Sequence, residues 1–254
     1  MCRPSRRRAM QAAADPSDAE AAVPRRKRRR PRGLALAVRL LHYRAIHRRF
    51  RHATMIGRDA YLANLYLADR CLAEPAMDGG CVIECGTWRG GMAAGLAVIG
   101  GPARDYHFFD SFAGLPPATA EDGAYARAAQ SSGDGRLYFD NNTAALEEFL
   151  ATLGPVRLPP QRLHVHKGLF ADTFPTVAVP PVAVLRLDAD WYESTMQCLD
   201  KFWDRLLPGA LVLIDDYYDW EGCTKAVHAF LARRMAPEPV RQSRHGKVAY
   251  LLKR

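Results

Sequence analysis

The stretch Cys81-Val-Ile-Glu-Cys-Gly-Thr-Trp-Arg-Gly-Gly91 decides the fold of this chain. A short apolar run ends at a glycine, and the Gly90-Gly91 pair then opens a segment rich in Ala, Leu and Ile. A strand, a glycine turn and a helix in this order form the first half of a βαβ unit. Such a turn lets the backbone approach a ligand at the N-terminus of a helix. The glycine spacing is not that of the GxGxxG motif, and tight packing of strand on helix is an equal explanation.

Further strand-like segments alternate with helical ones. The apolar segments cover residues 105–110, 163–168, 182–188 and 210–216, and the segments 240–243 and 247–252 look like a closing antiparallel pair. Apolar residues at helical spacing over 192–206 predict a helix, which Leu207-Pro-Gly is expected to end. Alternating strands and helices predict an α/β fold with a mostly parallel sheet.

The composition divides the chain into three parts. Residues 1–33 are rich in Ala, Pro and Arg, cannot bury enough apolar surface to fold alone, and are predicted to be a disordered basic tail. Residues 34–80 are predicted to form an N-terminal helical or lid segment, and residues 81–254 the main domain. Within that domain residues 113–142 show little periodicity, which is typical of a lid or a substrate-contacting loop.

The net charge of +9 belongs almost entirely to the tail. Residues 1–33 hold eleven Lys or Arg side chains against three carboxylates, so about +1 remains for the other 221 residues. The tail could contact nucleic acid or an acidic membrane surface. It could equally be a solvated extension, a transit-like leader or a misassigned start. Because the rest of the chain is nearly neutral, no nucleic-acid partner is expected.

The sequence carries no sign of a membrane span or a disulfide framework. No apolar run approaches the roughly 20 residues that a transmembrane helix requires. The six cysteines form no CxxC pair and no metal-finger spacing. We therefore expect a cytoplasmic protein with reduced, buried thiols.

Aspartates follow three of the predicted strands at the points where these strands end. Asp110 follows the second strand, Asp188 and Asp190 the fourth, and Asp215 and Asp216 the fifth. Ligands of open α/β sheets bind beyond the carboxyl ends of the strands. Asp110 is placed to accept the hydroxyls of a ribose there, or alternatively to cap a helix.

The aspartates after the fourth and fifth strands are expected to converge, because these strands are neighbours in this class of sheet. Asp188 and Asp190 are two residues apart, which places them on the same side of an extended chain. Carboxylates within a few Å raise one another's pKa unless a cation lies among them. Oxygen ligands without nearby His or Cys favour Mg²⁺, Mn²⁺ or Ca²⁺ over zinc. The alternative is that Asp188 and Asp216 cap helices or form turns, with solvent screening their charge.

Six motifs, taken in order, resemble the macrocin O-methyltransferase family of metal-dependent sugar O-methyltransferases. They are Thr54-Met-Ile-Gly, Val82-Ile-Glu-Cys-Gly-Thr-Trp-Arg-Gly-Gly, Asp110-Ser-Phe-Ala-Gly-Leu-Pro, Gly168-Leu-Phe-Ala-Asp-Thr-Phe-Pro, Leu187-Asp-Ala-Asp-Trp-Tyr-Glu-Ser-Thr and Leu213-Ile-Asp-Asp-Tyr. The resemblance implies a Rossmann-like class I S-adenosylmethionine (SAM) methyltransferase fold, with a seven-stranded sheet closed by an antiparallel last strand. Ala189 and Trp191 depart from the glycine and leucine that are usual there, and Trp191 could reshape the acceptor pocket.

The resemblance also implies a set of cofactor-binding residues. Thr54 and Met55 would close over the methionine end of SAM, Asp110 would bind its ribose, and Phe170 would lie by its adenine. The full set is Thr54, Met55, Glu84, Gly86, Thr87, Trp88, Arg89, Gly90, Asp110, Ser111, Phe112, Gly114, Gly168, Phe170 and Asp188.

The same resemblance implies the metal site and the reaction. Asp188, Asp215 and Asp216 match the family's magnesium ligands, and Asp190 matches its proposed general base. Mg²⁺ (or Mn²⁺) would chelate a vicinal diol of a sugar or glycosylated small molecule, and Asp190 would remove the proton.

Two alternative functions remain open. A catechol-type O-methyltransferase would use the same rim on an aromatic diol. A non-catalytic protein would bind polyanions through its basic tail. We expect a homodimer, with the helices of residues 34–73 as candidate dimer or lid elements.

Overall fold

Seven strands form one sheet in the computed structural model, which describes residues 33–132 and 140–254. They are β1 (Cys81–Cys85), β2 (Tyr106–Asp110), β3 (Leu163–Lys167), β4 (Val182–Leu187), β5 (Leu206–Ile214), β6 (Arg241–Gln242) and β7 (Ala249–Leu252). Their order is β3-β2-β1-β4-β5-β7-β6. Neighbours among β1 to β5 run parallel, whereas β7 is antiparallel to β5 and β6. The predicted α/β fold, with its closing antiparallel pair, is confirmed.

Helices connect the strands and pack against the sheet. They are α1 (Gly33–Phe50), α2 (Arg58–Leu72), α3 (Gly91–Gly100), α4 (Gly123–Ser132), α5 (Leu146–Leu153), α6 (Phe170–Thr173), α7 (Tyr192–Phe202) and α8 (Glu221–Arg233). All residues of β1 and β4 are buried, as expected for central parallel strands that are covered on both faces. The N-terminal helices predicted over 34–73 are confirmed as α1 and α2, and α2 contributes buried Tyr61, Leu65 and Ala68 to the core. A domain boundary near residue 80 stays a prediction.

The predicted end of the helix after β4 was wrong. Helix α7 stops at Phe202, a 3-10 turn covers Trp203–Arg205, and β5 already begins at Leu206. The segment Leu207-Pro-Gly therefore lies inside a strand. Trp203 and Leu206 are buried like the helix face before them, so apolar spacing alone did not reveal where the helix gave way to the strand.

The prediction of an irregular loop over 113–142 was also wrong in part. A 3-10 turn at Ala120–Asp122 leads directly into α4. The side chain of Thr119 accepts a hydrogen bond from the backbone of Glu121, and Asp122 bonds back to the Thr119 backbone. Ala126 is the buried residue of α4, so the helix has too narrow an apolar face to show in the sequence.

The remaining expectations about the chain concern its thiols, its tail and the membrane. Cys71, Cys81, Cys85, Cys198 and Cys223 are free and buried, as expected. The predicted disordered tail lies outside the described residues. Within residues 33–132 and 140–254, the helices are all too short or too polar to cross a bilayer.

Candidate active site

The turn after β1 is shaped by glycines that contact neighbouring backbone. Gly86 has a φ of +80°, and a Cβ there would lie 1.7 Å from the carbonyl oxygen of Asp188. A Cβ on Gly91 would lie 2.5 Å from the carbonyl oxygen of Ala53. Side chains are therefore excluded at both positions, and close packing explains these two glycines. The same packing brings the turn next to the loop after β4 and to the segment before α2.

Asp110 at the end of β2 fixes this turn. Its Oδ2 accepts hydrogen bonds from the backbone N–H groups of Thr87 (2.6 Å) and Trp88 (2.8 Å), and its Oδ1 accepts one from Phe112 (2.8 Å). The carboxylate thus caps a turn and not a helix. The Thr87 hydroxyl is a fourth donor, 3.4 Å from Oδ2. The remaining capacity for a ribose hydroxyl lies at Oδ1, which accepts one hydrogen bond, and that role stays a prediction.

A fully buried arginine lies beneath the acidic rim. Arg186 on β4 is the register partner of Glu84 on β1, and its side chain is 0% exposed. Its guanidinium forms ion pairs with Glu84 (Nη1–Oε1, 2.6 Å), Asp188 (Nη1–Oδ2, 2.9 Å) and Asp215 (Nη2–Oδ1, 2.8 Å). One side chain therefore links the ends of β1, β4 and β5. We had not expected a protein cation among these carboxylates, and Arg186 offsets part of the repulsion from which a metal was inferred.

One guanidinium does not neutralise the whole rim. Burial raises the pKa of Glu84 to about 8, although Arg186 counteracts the shift. Burial also raises the pKa of Asp188 to about 6, with repulsion from Asp215 adding to it. The pKa values of Asp190 and Asp216 lie well above their usual range, because both are buried and repelled by neighbouring aspartates. The rim therefore keeps an excess of acidic groups that a divalent cation could offset.

Three aspartates of the rim converge on one point. Asp188, Asp215 and Asp216 each offer a carboxylate oxygen, and these oxygens lie within 4.8 Å of one another. Asp188 follows β4 and the other two follow β5, so the pairing of these strands brings them together. Three hard oxygen donors suit Mg²⁺ or Mn²⁺, and the residues present fit such an ion.

Asp190 is adjacent to this group but is not a member of it. The chain is not extended at this point, contrary to the prediction, because Asp190 has a φ of +56° and the N–H of Trp191 bonds back to the carbonyl of Ala189. The N–H of Asp190 donates to Oδ2 of Asp216 at 3.0 Å. Its own Oδ1 accepts a hydrogen bond from the indole Nε1 of Trp220 at 2.9 Å. Asp190 is therefore outside the group of three candidate metal ligands but lies directly beside one of them, Asp216.

A cavity of about 920 Å³ opens above the rim. Its floor includes the glycine turn and the aspartates, and its walls include Phe170, Trp191 and Trp220. Residues 53–57 and the turn around Gly246 lie on another side. A cavity that combines apolar walls with convergent polar groups is the expected form of a small-molecule site.

A family model described as macrocin-O-methyltransferase (TylF) matches residues 45–250. The chain belongs to the macrocin O-methyltransferase family. It is therefore an O-methyltransferase with the class I fold, and SAM is its methyl donor. The family predicted from the six motifs is confirmed.

Similar proteins of known activity support this membership. The 8-demethyl-8-(2,3-dimethoxy-alpha-L-rhamnosyl)-tetracenomycin-C 4'-O-methyltransferase of Streptomyces olivaceus is 35% identical over 195 residues, which cover 74% of this chain and 70% of that protein. The mycinamicin III 3''-O-methyltransferase of Micromonospora griseorubida is 33% identical over 204 residues, 76% of each chain. The solved O-methyltransferase NovP superposes with a TM-score of 0.65 at 26% identity, over 79% of this chain and 82% of that one.

Most of the predicted site residues of this O-methyltransferase line the cavity. These are Thr54, Met55, Glu84, Gly86, Thr87, Trp88, Asp110, Ser111, Gly114, Phe170, Asp188, Asp190, Asp215 and Asp216. Arg89, Gly90, Phe112 and Gly168 do not line it. The Arg89 guanidinium lies over the Trp88 ring at 4.5 Å and pairs at 3.5 Å with Glu148, which does not line the cavity either.

Two further residues of the site were missed in the sequence. Arg186 could have been suspected, because a single arginine in the apolar strand 182–187 needs a buried acidic partner. Trp220 gave no such signal, because a tryptophan ahead of a helix reads as ordinary core. The contacts of both residues with the acidic rim depend on the folded structure.

Proposed function

We propose that this enzyme transfers a methyl group from SAM to a sugar hydroxyl of a glycosylated small molecule, with Mg²⁺ or Mn²⁺ as a required ion. The observation that carries the proposal is the Asp188, Asp215 and Asp216 group beside Asp190 on the floor of the cavity. The two relatives described above are named for the methylation of glycosylated natural products.

The cavity offers groups that suit the methyl donor. Glu84 lines the cavity, and its buried Oε2 atom has no hydrogen-bond partner among the described residues. A buried carboxylate oxygen requires a donor, and the ammonium group of SAM would supply one. Following the family resemblance, Asp110 would bind the ribose, Phe170 would lie by the adenine, and Thr54 with Met55 would cover the methionine end.

The residues of the chain have distinct parts in the reaction. Asp188, Asp215 and Asp216 would hold the ion, which, when bound, lowers the pKa of a chelated hydroxyl. SAM supplies an electrophilic methyl group, which passes to the acceptor oxygen as the carbon–sulfur bond breaks. Asp190 would accept the hydroxyl proton as general base. Arg186 keeps the carboxylates of three strand ends in place, so the reactants are held in a fixed orientation.

An acceptor panel tests the proposal. It contains the rhamnosyl-tetracenomycin acceptor of the first relative, mycinamicin III, methyl α-L-rhamnopyranoside and catechol, each assayed for methyl transfer from labelled SAM with Mg²⁺ and with EDTA. We expect Mg²⁺-dependent methylation of a sugar hydroxyl. Methylation of catechol in preference to every glycoside would contradict the proposed acceptor class.

A further inference from the structure

Trp220 is hydrogen-bonded to Asp190, the proposed base. The residue is 2% exposed and precedes α8 at its N-cap position. Its indole Nε1 donates to Oδ1 of Asp190 at 2.9 Å, and its backbone N–H donates to the carbonyl of Asp216 at 3.0 Å. One residue therefore contacts both the base and the backbone of a proposed metal ligand.

The indole ring of Trp220 is held in place by other aromatic rings. Trp191 packs edge-on against it, with ring centroids 5.1 Å apart and planes at 70°. The ring of Tyr125 on α4 lies on another side at 5.5 Å. Such pairs contribute about 0.5–1.5 kcal/mol beyond the burial of their surface. The N–H group is therefore fixed in direction before any acceptor binds.

Asp190 needs this support because little else holds its carboxylate. Its backbone has a left-handed conformation, and the nearby acidic side chains repel it. Within residues 33–132 and 140–254, the recorded donor to its side chain is Trp220. An indole N–H can donate but cannot accept, so this bond occupies one carboxylate oxygen, and no described residue donates a hydrogen bond to the other.

We propose that Trp220 is a positioning residue, whose indole N–H orients the Asp190 carboxylate so that its second oxygen faces the acceptor hydroxyl. This inference rests on the proposed function, and specifically on Asp190 as the base. Its proposed effect on the reaction passes through Asp190, whose Oδ1 accepts its indole N–H.

The hydrogen bond can be tested without any acceptor. The chain has four tryptophans, so the four indole N–H signals of ¹⁵N-labelled protein can be assigned by single substitutions. In Asp190→Asn the Trp220 signal should shift, because the carboxylate oxygen that accepts its hydrogen bond is replaced by an amide group. The Trp203 signal should stay in place. An unmoved Trp220 signal would overturn the proposal.

The effect on catalysis is tested by Trp220→Phe, which keeps an aromatic ring and removes the donor. Assayed with the glycoside of the panel that the wild type turns over fastest, kcat should fall about 10- to 100-fold. The KM of the glycoside and the Kd of SAM should stay within about twofold. Replacement of Trp220 by 3-benzothienylalanine, which keeps the ring shape and lacks the N–H, should give the same loss even where Trp220→Phe folds poorly.

The matched control is Trp203→Phe. Trp203 is 3% exposed and packs edge-on against Phe230 at 5.1 Å, away from the cavity. Its kcat should equal that of the wild type.

A kcat within about twofold of the wild type for both Trp220 variants would overturn the positioning role. If Asp190→Asn itself turned over normally, the proposed base would fail instead, so the two failures are distinguishable. In the Asp190→Asn background Trp220→Phe should cause no further loss, because the two residues act as one unit.

Discussion

At the scale of single residues, Asp190 and Arg186 are both buried charged groups with opposite tasks. Asp190 lines the cavity, and within the described residues one of its carboxylate oxygens accepts no hydrogen bond. Arg186 is fully enclosed and pairs with carboxylates of three strand ends. Asp190 is therefore suited to exchange a proton, and Arg186 is suited to hold the three strand ends together. Their substitution should therefore affect different properties of the enzyme.

Asp190→Asn should abolish turnover and leave cofactor binding intact. The amide keeps the size of the side chain and can still accept the Trp220 hydrogen bond, but it cannot take up a proton. We expect kcat to fall by at least about 100-fold, with the Kd of SAM, measured by titration calorimetry, within about twofold. Asp172→Asn, an exposed change on α6, is the control. Near-normal turnover of Asp190→Asn would remove this residue from the mechanism.

Arg186→Met should strongly destabilise the fold. Methionine is apolar and similar in length to arginine, but it leaves the carboxylates without their buried cationic partner. Such a loss lowers the free energy of unfolding by about 3–5 kcal/mol. Urea unfolding measures the loss. Arg162→Met is the matched control, because its 2.8 Å pair with Asp105 is 42% exposed on the arginine side and such surface pairs contribute at most about 1 kcal/mol. A loss below about 1 kcal/mol for Arg186→Met would show that the carboxylates do not depend on it.

Prediction from the sequence reached some of these residues and not others. The strand-end aspartates were predicted because their place in the chain fixes their place at the sheet edge. The left-handed turn at Asp190 and the indole bond from Trp220 could not be predicted, because both depend on contacts between residues about 30 positions apart.

At the scale of elements, the β2–β3 pair carries stacked histidines outside the cavity. His107 on β2 lies 4.4 Å from the ring of His164 on β3, and its Nδ1 is 3.1 Å from Nε2 of His166. His107 is 5% exposed. Burial first, and the neighbouring histidines second, lower its pKa from 6.5 to about 4.

This shift predicts a loss of stability in mild acid. The unfolded chain protonates His107 near pH 6.5 and the folded chain only near pH 4, so its contribution is complete above about pH 6.5 and is lost as the pH falls toward 4. His107→Phe should keep the ring stack and flatten this dependence. The readout is the difference in urea midpoint between pH 7 and pH 5, with the substitution His42→Phe, at an exposed position of α1, as control. Equal losses in wild type and His107→Phe would contradict the assignment.

The turn at Ala120–Asp122 is anchored by a buried carboxylate. Asp122 is 1% exposed and accepts hydrogen bonds from the N–H of Tyr192 (2.6 Å) and from the N–H and hydroxyl of Thr119. It thereby ties the turn before α4 to the start of α7, next to the base. The sequence indicated a lid here but not its anchor, since the partners are 70 residues apart.

Asp122→Ala should loosen the turn before α4 and weaken acceptor binding. Hydrogen bonds to a charged group contribute about 1.5–3 kcal/mol each, so the KM of the glycoside should rise by about tenfold or more. The Kd of SAM should change by less than about threefold. Glu121→Gln in the same turn, which removes an exposed pair with Lys225, should behave like the wild type. A KM of Asp122→Ala equal to that of Glu121→Gln would show that Asp122 does not anchor the acceptor side.

At the scale of the whole molecule, sheet order decides which residues meet. The pairing of β1, β4 and β5 brings Glu84, Arg186, Asp188 and Asp215 to one edge, although the three strands are far apart in the chain. The alternation of strands and helices was enough to predict that edge. The homodimer, the cytoplasmic location and a role for the basic tail stay predictions, and sedimentation velocity of the full chain tests the first.

The metal requirement is the central claim, and one assay tests it most directly. Enzyme stripped with EDTA and transferred to metal-free buffer is assayed for methyl transfer to the best glycoside of the panel, before and after addition of Mg²⁺ or Mn²⁺. We predict a loss of at least about 100-fold, full restoration by either ion, and no restoration in Asp216→Asn. Full activity of the wild type in metal-free buffer would contradict the account.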